Sequence, residues 1–252
     1  MGHFHRRIII RHFSLGQGGE TRAALEDDFH HFRVTVRHEV EQVVHIQGQA
    51  LRHPYSLCPG ALGQLPQLVG MRLDAVANAV TRATDASTQC THLLDLAGLA
   101  VAAAARRDDR RQYDIAVPDR VDGHTTATLK RNGQPLLVWQ VQDKLLSGPP
   151  PYTGISLHQG LARWALQTLS VDEAEAAIAL RRCVMISLGR HKPLDTWVHA
   201  VASGHCYAQQ PVRAEQALRM VGSTWDFSNR ADDLCADDAA WLAGADDEPS
   251  AG

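Results

Sequence analysis

The sequence predicts an α+β fold, with an antiparallel hairpin followed by helices in the first half and a second hairpin followed by helices in the second. Three observations carry this. Residues 20–51 alternate, and 31–36 carry the period of two that marks a half-buried strand. Residues 91–107 form an Ala- and Leu-rich run of high helix propensity. Asn132-Gly133, the pair favoured in tight hairpin turns, separates two β-prone runs. With 252 residues, 44% hydrophobic and 21% charged, the chain can bury a substantial core. We read 1–252 as a single α+β domain with sub-regions 1–110 and 111–252.

Taken in order, "RRIIIRHF" near the N-terminus holds only a three-residue apolar run, far short of a signal-peptide core or a membrane span. "HFRVTV" at 31–36 sets Phe32, Val34 and Val36 on one face, and "QVVHIQGQA" at 42–50 pairs back onto it. Leu62, Leu65, Val69, Leu73, Val76 and Val80 recur at helical spacing, interrupted around Gly70. The second hairpin takes strands at about 124–130 and 135–142. "SGPPPYTG" at 147–154 is a linker or a rigid loop, because consecutive prolines forbid a helix interior or a central strand. Ser170 with Glu173 three residues on reads as a capping box for a helix through Arg182. Further helices are expected at 157–168, 194–202 and 212–221, and the acidic tail 245–252 is expected to fray.

A net charge of −3 argues against a nucleic-acid partner, which needs a basic face. No segment reaches spanning length, so neither a membrane partner nor a location other than the cytoplasm is expected. A homo-oligomer is left open. The five cysteines are odd in number and lack compact spacing, so they read as reduced thiols rather than a disulfide framework.

The sharpest chemical constellation is Cys58, in "HPYSLCPGA", with Cys90 and His92, in "CTHLLDL". Thiolate and imidazole suit zinc or iron, and a helix N-terminus favours a thiolate, so Cys90 is a candidate ligand or nucleophile. The other reading is small apolar residues filling gaps. "EDDFHHF" at 26–32 offers Asp28 as a further ligand and His30 as a ligand or general base, or is an ordinary acidic turn. "GHCY" at 204–207 and the Asp-rich 113–124 stretch fit packing and turn roles better than ligation. The five tryptophans line either a pocket or the core.

The combination of "FHHFRVTV", "HPYSLCPGA", an "LVG" turn and "CTHLLDL" resembles the bacterial domain-of-unknown-function family 2889, over about 25–105 and more weakly to about 210. That name implies no activity. A more distant likeness over about 25–105 is to the iron-sulfur scaffold proteins of the NifU N-terminal type, through the order of "RVTV", Cys58, Gly70 and the Ala-rich helix. That likeness implies a scaffold-like first half and sets a cluster-site Asp near Asp28. The scaffold's first Cys falls near Glu26 and its late His near Gln89, so a three-thiolate cluster is not matched. A single metal held by Cys58, Cys90, His92 and Asp28 is what it leaves.

The functional expectation is an enzyme of small-molecule metabolism acting on a carbonyl-type substrate, by hydrolysis, isomerisation or lyase chemistry, through a bound zinc or iron or a reactive Cys90. His92 and His30 serve as ligand or general base. The alternative is a non-catalytic metal- or iron-sulfur-carrying scaffold.

Overall fold

The computed structural model describes residues 2–244; the tail predicted to fray lies outside them. The chain is α+β, as its pattern predicts, built on one eight-stranded antiparallel sheet in the order β4-β3-β2-β1-β5-β6-β7-β8. The first meander is β1 (His3–Leu15), β2 (Gly18–Asp27), β3 (His31–Glu39) and β4 (Gln42–Arg52). A helical crossover follows, with α1 a single turn (Val80–Ala83) and α2 long (Thr91–Arg106). It returns the chain to the free edge of β1, where the second meander begins: β5 (Arg110–Pro118), β6 (His124–Arg131), β7 (Gln134–Gln142) and β8 (Leu145–Gly148). Then come α3 (Leu161–Thr168), α4 (Val171–Ile186) and an irregular tail that ends in the short α5 (Ala239–Leu242).

Both predicted hairpins are present, as β3-β4 and β6-β7. The Ser170–Glu173 capping box starts α4, with both of its reciprocal hydrogen bonds made. The pattern did not predict β1, β2, β5 or β8, and the first three lie at the centre of the sheet. β1 alternates faithfully, but Arg6 and His12 share the inward face with Phe4, Ile8 and Ile10, which hides the apolar period. β2 is buried on both faces, because Cys235, Trp241 and Leu242 of the distant tail cover Ala24.

The helical stripes expected over 62–80 are instead a 3-10 stretch, Cys58–Leu68, with Pro66 inside it, followed by irregular chain. A proline there removes a backbone donor and clashes with the preceding turn. The helices expected at 194–202 and 212–221 are also absent, apart from a 3-10 turn at Leu194–Thr196. In their place Tyr55 bridges Arg219 and His199 bridges Leu218, so backbone groups are satisfied between segments rather than along a helix. The helix expected at 157–168 starts only at Leu161, after Gly160 with a positive φ of 82°. The Pro-rich stretch lies on the core as a loop, with Tyr152 buried against Trp139 and Trp164.

The two long helices share one face of the sheet. α2 lies on β1, β2 and β3, and α4 on β5, β6 and β7. Gly98 allows the 77–80 segment to lie across α2, because a Cβ there would sit 2.2 Å from the Ala77 carbonyl oxygen. Gly98→Ala is therefore expected to destabilise the fold by about 1–3 kcal/mol through overpacking, despite alanine's better helix propensity. Chemical denaturation tests this, and a stabilised variant would contradict it.

The opposite face is closed by the tail. Asp238, fully buried, accepts from His31 Nε2 at 2.9 Å and from Arg33 Nε at 2.5 Å, while the Cys235 N–H donates to Glu26 at 2.8 Å. Burial pushes the Asp238 carboxyl up, but His31 and Arg33 outweigh it and hold the group below its usual range. A depressed folded-state pKa contributes stability above the unfolded value, and that contribution is lost as pH falls through the folded value. Asp238→Asn should then cost about 1.5–3 kcal/mol at neutral pH, with the difference from wild type shrinking below about pH 4. Unfolding free energies measured at neutral and acidic pH check this; a pH-independent difference would contradict it.

Candidate functional site

The site is built at the end of the sheet where β2 turns into β3. Arg6 on β1 stands in register with Asp27 on β2. Arg6 donates Nε to Asp27 Oδ2 at 2.9 Å and adds a shorter bond from Nη2 to the same oxygen. Asp27 Oδ1 accepts the backbone N–H groups of Phe29 (2.7 Å) and His30 (2.8 Å), an Asx-type turn that fixes residues 28–30. The turn delivers the His30 ring to the first turn of α2, where it stacks on His92 with ring centroids 3.9 Å apart and 26° between planes. His30 Nδ1 lies 3.1 Å from Asp27 Oδ1.

Asp27, His30 and His92 are the one group of three or more His, Cys, Asp or Glu residues, among those described, whose donor atoms all lie within 4.8 Å of one another. Asp27 is fully buried, His30 is 9% exposed and His92 8%. His92 Nε2 is buried with no hydrogen-bond partner. Leaving such a group unsatisfied costs about 1–3 kcal/mol, so it asks for an explanation such as a bound ion.

The protonation states favour ligation. Burial alone would raise the Asp27 carboxyl, yet Arg6, then His30 and His92, hold it well below the usual carboxylate range. Burial pushes the His92 imidazole well below its ordinary value, and the neighbouring His30 and Arg6 push it further. At neutral pH the group thus presents an ionised carboxylate and a neutral imidazole with a free lone pair. An ionised carboxylate has about four acceptor sites. Two backbone donors and Arg6 occupy both Asp27 oxygens, which suits it to orienting His30 through Nδ1, with Nε2 left as the donor to a metal.

Of the residues singled out from sequence, His30 and His92 come together. Asp28 does not join them. Its side chain is paired with Arg190, which also serves Asp119 and Asp226, and the neighbouring Asp27 takes the place expected of it. Burial, which outweighs Arg190, raises the Asp28 carboxyl to about 7.

Cys58 and Cys90 do not join the donor group either. Cys90 is the residue before α2 and His92 is two positions on; residues two apart on a helix do not face each other. The thiolate expected at this helix N-terminus is not favoured, because burial pushes the Cys90 thiol up to about 12. Cys58 lies in a small cluster with Tyr55, Ala200 and Ala208, Cys206 packed beside it, and burial raises its thiol further still. Both thiols are buried and stand outside the donor group.

Sequence reasoning had Asp27 within the 26–32 cluster but chose Asp28 over it, and it missed Arg6. The Asp27-x-x-His30 spacing of an Asx turn was a readable signal for the first; the second needed the β1-β2 register.

Arg6 also lines a cleft between α2 and α4 that opens to solvent. Asp95, one turn beyond His92 on α2, also lines it, paired with Arg182 of α4. Its walls are mostly aliphatic, with Asn78, Thr81 and Glu175 among them, and none of the five tryptophans lines it.

The fold and site together define an α+β protein with a buried imidazole-carboxylate group beside a mostly aliphatic cleft. Residues 13–106 match the family model described as "Protein of unknown function (DUF2889)", which bears out the resemblance carried by the sequence motifs. The matched segment runs from β1 to the end of α2 and contains Asp27, His30, Cys58, Cys90 and His92. It does not extend toward residue 210, and nothing in it bears on the iron-sulfur scaffold likeness. No curated protein matches the chain. Among the described residues no helix is long and apolar enough to cross a membrane.

Proposed function

We propose that the chain is an enzyme of small-molecule metabolism in which His30 and His92, oriented and charge-balanced by Asp27, hold a zinc- or iron-class ion beside the α2-α4 cleft. The observation that carries this reading is the buried, unpartnered Nε2 of His92 within reach of donors from His30 and Asp27. Imidazole is a ligand of both metals, and an ionised carboxylate behind it fixes the ring and balances the charge. An ion held there would act as a Lewis acid on a carbonyl oxygen. The chain's own part is to keep His92 neutral, to fix the His30 ring through Asp27, and to limit water by burying both rings. Hydrolysis, isomerisation and lyase chemistry all fit such a centre.

Burial also favours this reading over a scaffold that passes metal to a partner, since a donor site would need to be open. The raised, buried thiols of Cys58 and Cys90 weigh against a reactive cysteine. Elemental analysis of untagged, anaerobically purified protein tests the reading. Near-stoichiometric zinc or iron is expected in wild type, Cys58→Ala and Cys90→Ala, and is expected to be lost in His30→Ala and His92→Ala. Metal lost with the cysteines but kept without the histidines would return the site to the thiols. A wild-type protein that takes up neither metal, even on reconstitution, would overturn the proposal.

A further inference from the structure

The lining of the α2-α4 cleft contains two arginines used in the same incomplete way. Arg6, only 3% exposed, spends Nε and Nη2 on Asp27; Arg182 donates Nε and Nη2 to Asp95 at 2.7 and 3.2 Å. In each, the remaining terminal nitrogen, Nη1, has no hydrogen-bond partner among the described residues, and both arginines line the cleft. A guanidinium offers five N–H donors, so each retains capacity for an anion after its carboxylate partner is served. Asp95 does not compete for that capacity, since it already occupies the Nε-Nη2 edge of Arg182.

Asn78, Thr81 and Glu175 also line the cleft, with both Glu175 oxygens already engaged by Tyr113, Arg111 and Arg106; the remaining lining is aliphatic. Val80, Leu99, Leu166, Ile178 and Ala179 form its walls, with no aromatic ring to stack against a base or an aromatic substrate. Along α4 the lining runs from Val171 to Arg182, about 16 Å at roughly 1.5 Å per residue. Arginines with spare donors beside apolar walls suit an amphipathic small molecule.

We infer that the cleft binds an aliphatic carboxylate of medium chain length, its head on the free Nη1 groups of Arg6 and Arg182 and its chain along α4. This deepens the functional reading above and rests on it only in treating the ligand as substrate, since Arg6 links the head-group position to Asp27. Binding itself is independent of any metal.

Calorimetric titration with octanoate and decanoate, with octanol as the uncharged control, tests the inference on wild type, Arg182→Gln, Ala179→Phe and His92→Ala, each checked for folding by circular dichroism. Decanoate is expected to bind wild type and His92→Ala alike. Arg182→Gln should weaken it about tenfold or more, the scale of a lost charge-assisted hydrogen bond, and octanol should bind at least as much more weakly than octanoate. Ala179→Phe fills the cleft and should abolish binding. No decanoate binding at millimolar concentration, or equal binding to wild type and a folded Ala179→Phe, would overturn the inference. Metal content of wild type and His92→Ala, read separately, judges the metal centre, so the two can fail independently.

Discussion

Glu175→Ala is expected to lower the unfolding free energy by about 3–5 kcal/mol, the scale for removing one partner of a buried ionic network. Glu175 Oε1 accepts from the Tyr113 hydroxyl at 2.6 Å and from Arg111 at 3.0 Å, and Oε2 accepts from Arg106 at 3.0 Å. Its side chain is 2% exposed, and Tyr113 is fully buried. These three partners come from the end of α2 and from β5, so one carboxylate on α4 ties together the crossover helix and the first strand of the second meander. Alanine would strand the Tyr113 hydroxyl, whose proton burial and Glu175 both hold in place, as a donor without an acceptor. Arg106 and Arg111 keep Asp108, and Arg111 also keeps Asp172, which sets the expectation nearer the lower end. Glu175→Gln retains an acceptor for Tyr113 while removing the charge, and should lose less. Guanidinium denaturation of both variants tests the ordering; a loss below about 1 kcal/mol for alanine would mean that the network is dispensable.

The network also shows why some of the fold was legible in the sequence and some was not. α2, the β3-β4 and β6-β7 hairpins and the cap at Ser170 are written locally, in propensity, alternation and turn residues. β1 and β2 are specified by distant partners. Arg6 faces inward because Asp27 meets it across the sheet, and Glu26 is covered by Cys235, which lies 209 positions away. The expected helix after Cys58 failed on one residue, Pro66, against an otherwise helical apolar spacing.

The candidate site divides along the same line. His30 and His92 carry their chemistry in their residue types, and the sequence pointed to both. The choice between Asp27 and Asp28 depended on which carboxylate a strand end turns inward, since successive side chains point to opposite faces. Cys90 and His92 looked like one motif at a spacing of two, but the helix that begins between them turns that spacing into divergence.

Asp27→Ala is expected to cost about 3–5 kcal/mol as well, but by a route that the site itself makes testable. The substitution removes the acceptor for two turn N–H groups and leaves the Arg6 guanidinium, 3% exposed, without its anion. Asp27→Asn keeps an oxygen for the turn and should recover part of the loss, leaving mainly the unpaired arginine. Because a buried ion pair gains little over apolar residues of similar size, Arg6→Met combined with Asp27→Asn should be less unstable than the sum of the two single variants. Denaturation of the four proteins in this cycle measures the coupling, and additive losses would mean that the Arg6-Asp27 pair is not the organising contact of the turn. Metal content of the double variant then separates the two roles of Asp27. Retained metal would mark the carboxylate as a group that positions His30, whereas loss of metal from a folded double variant would make it a ligand.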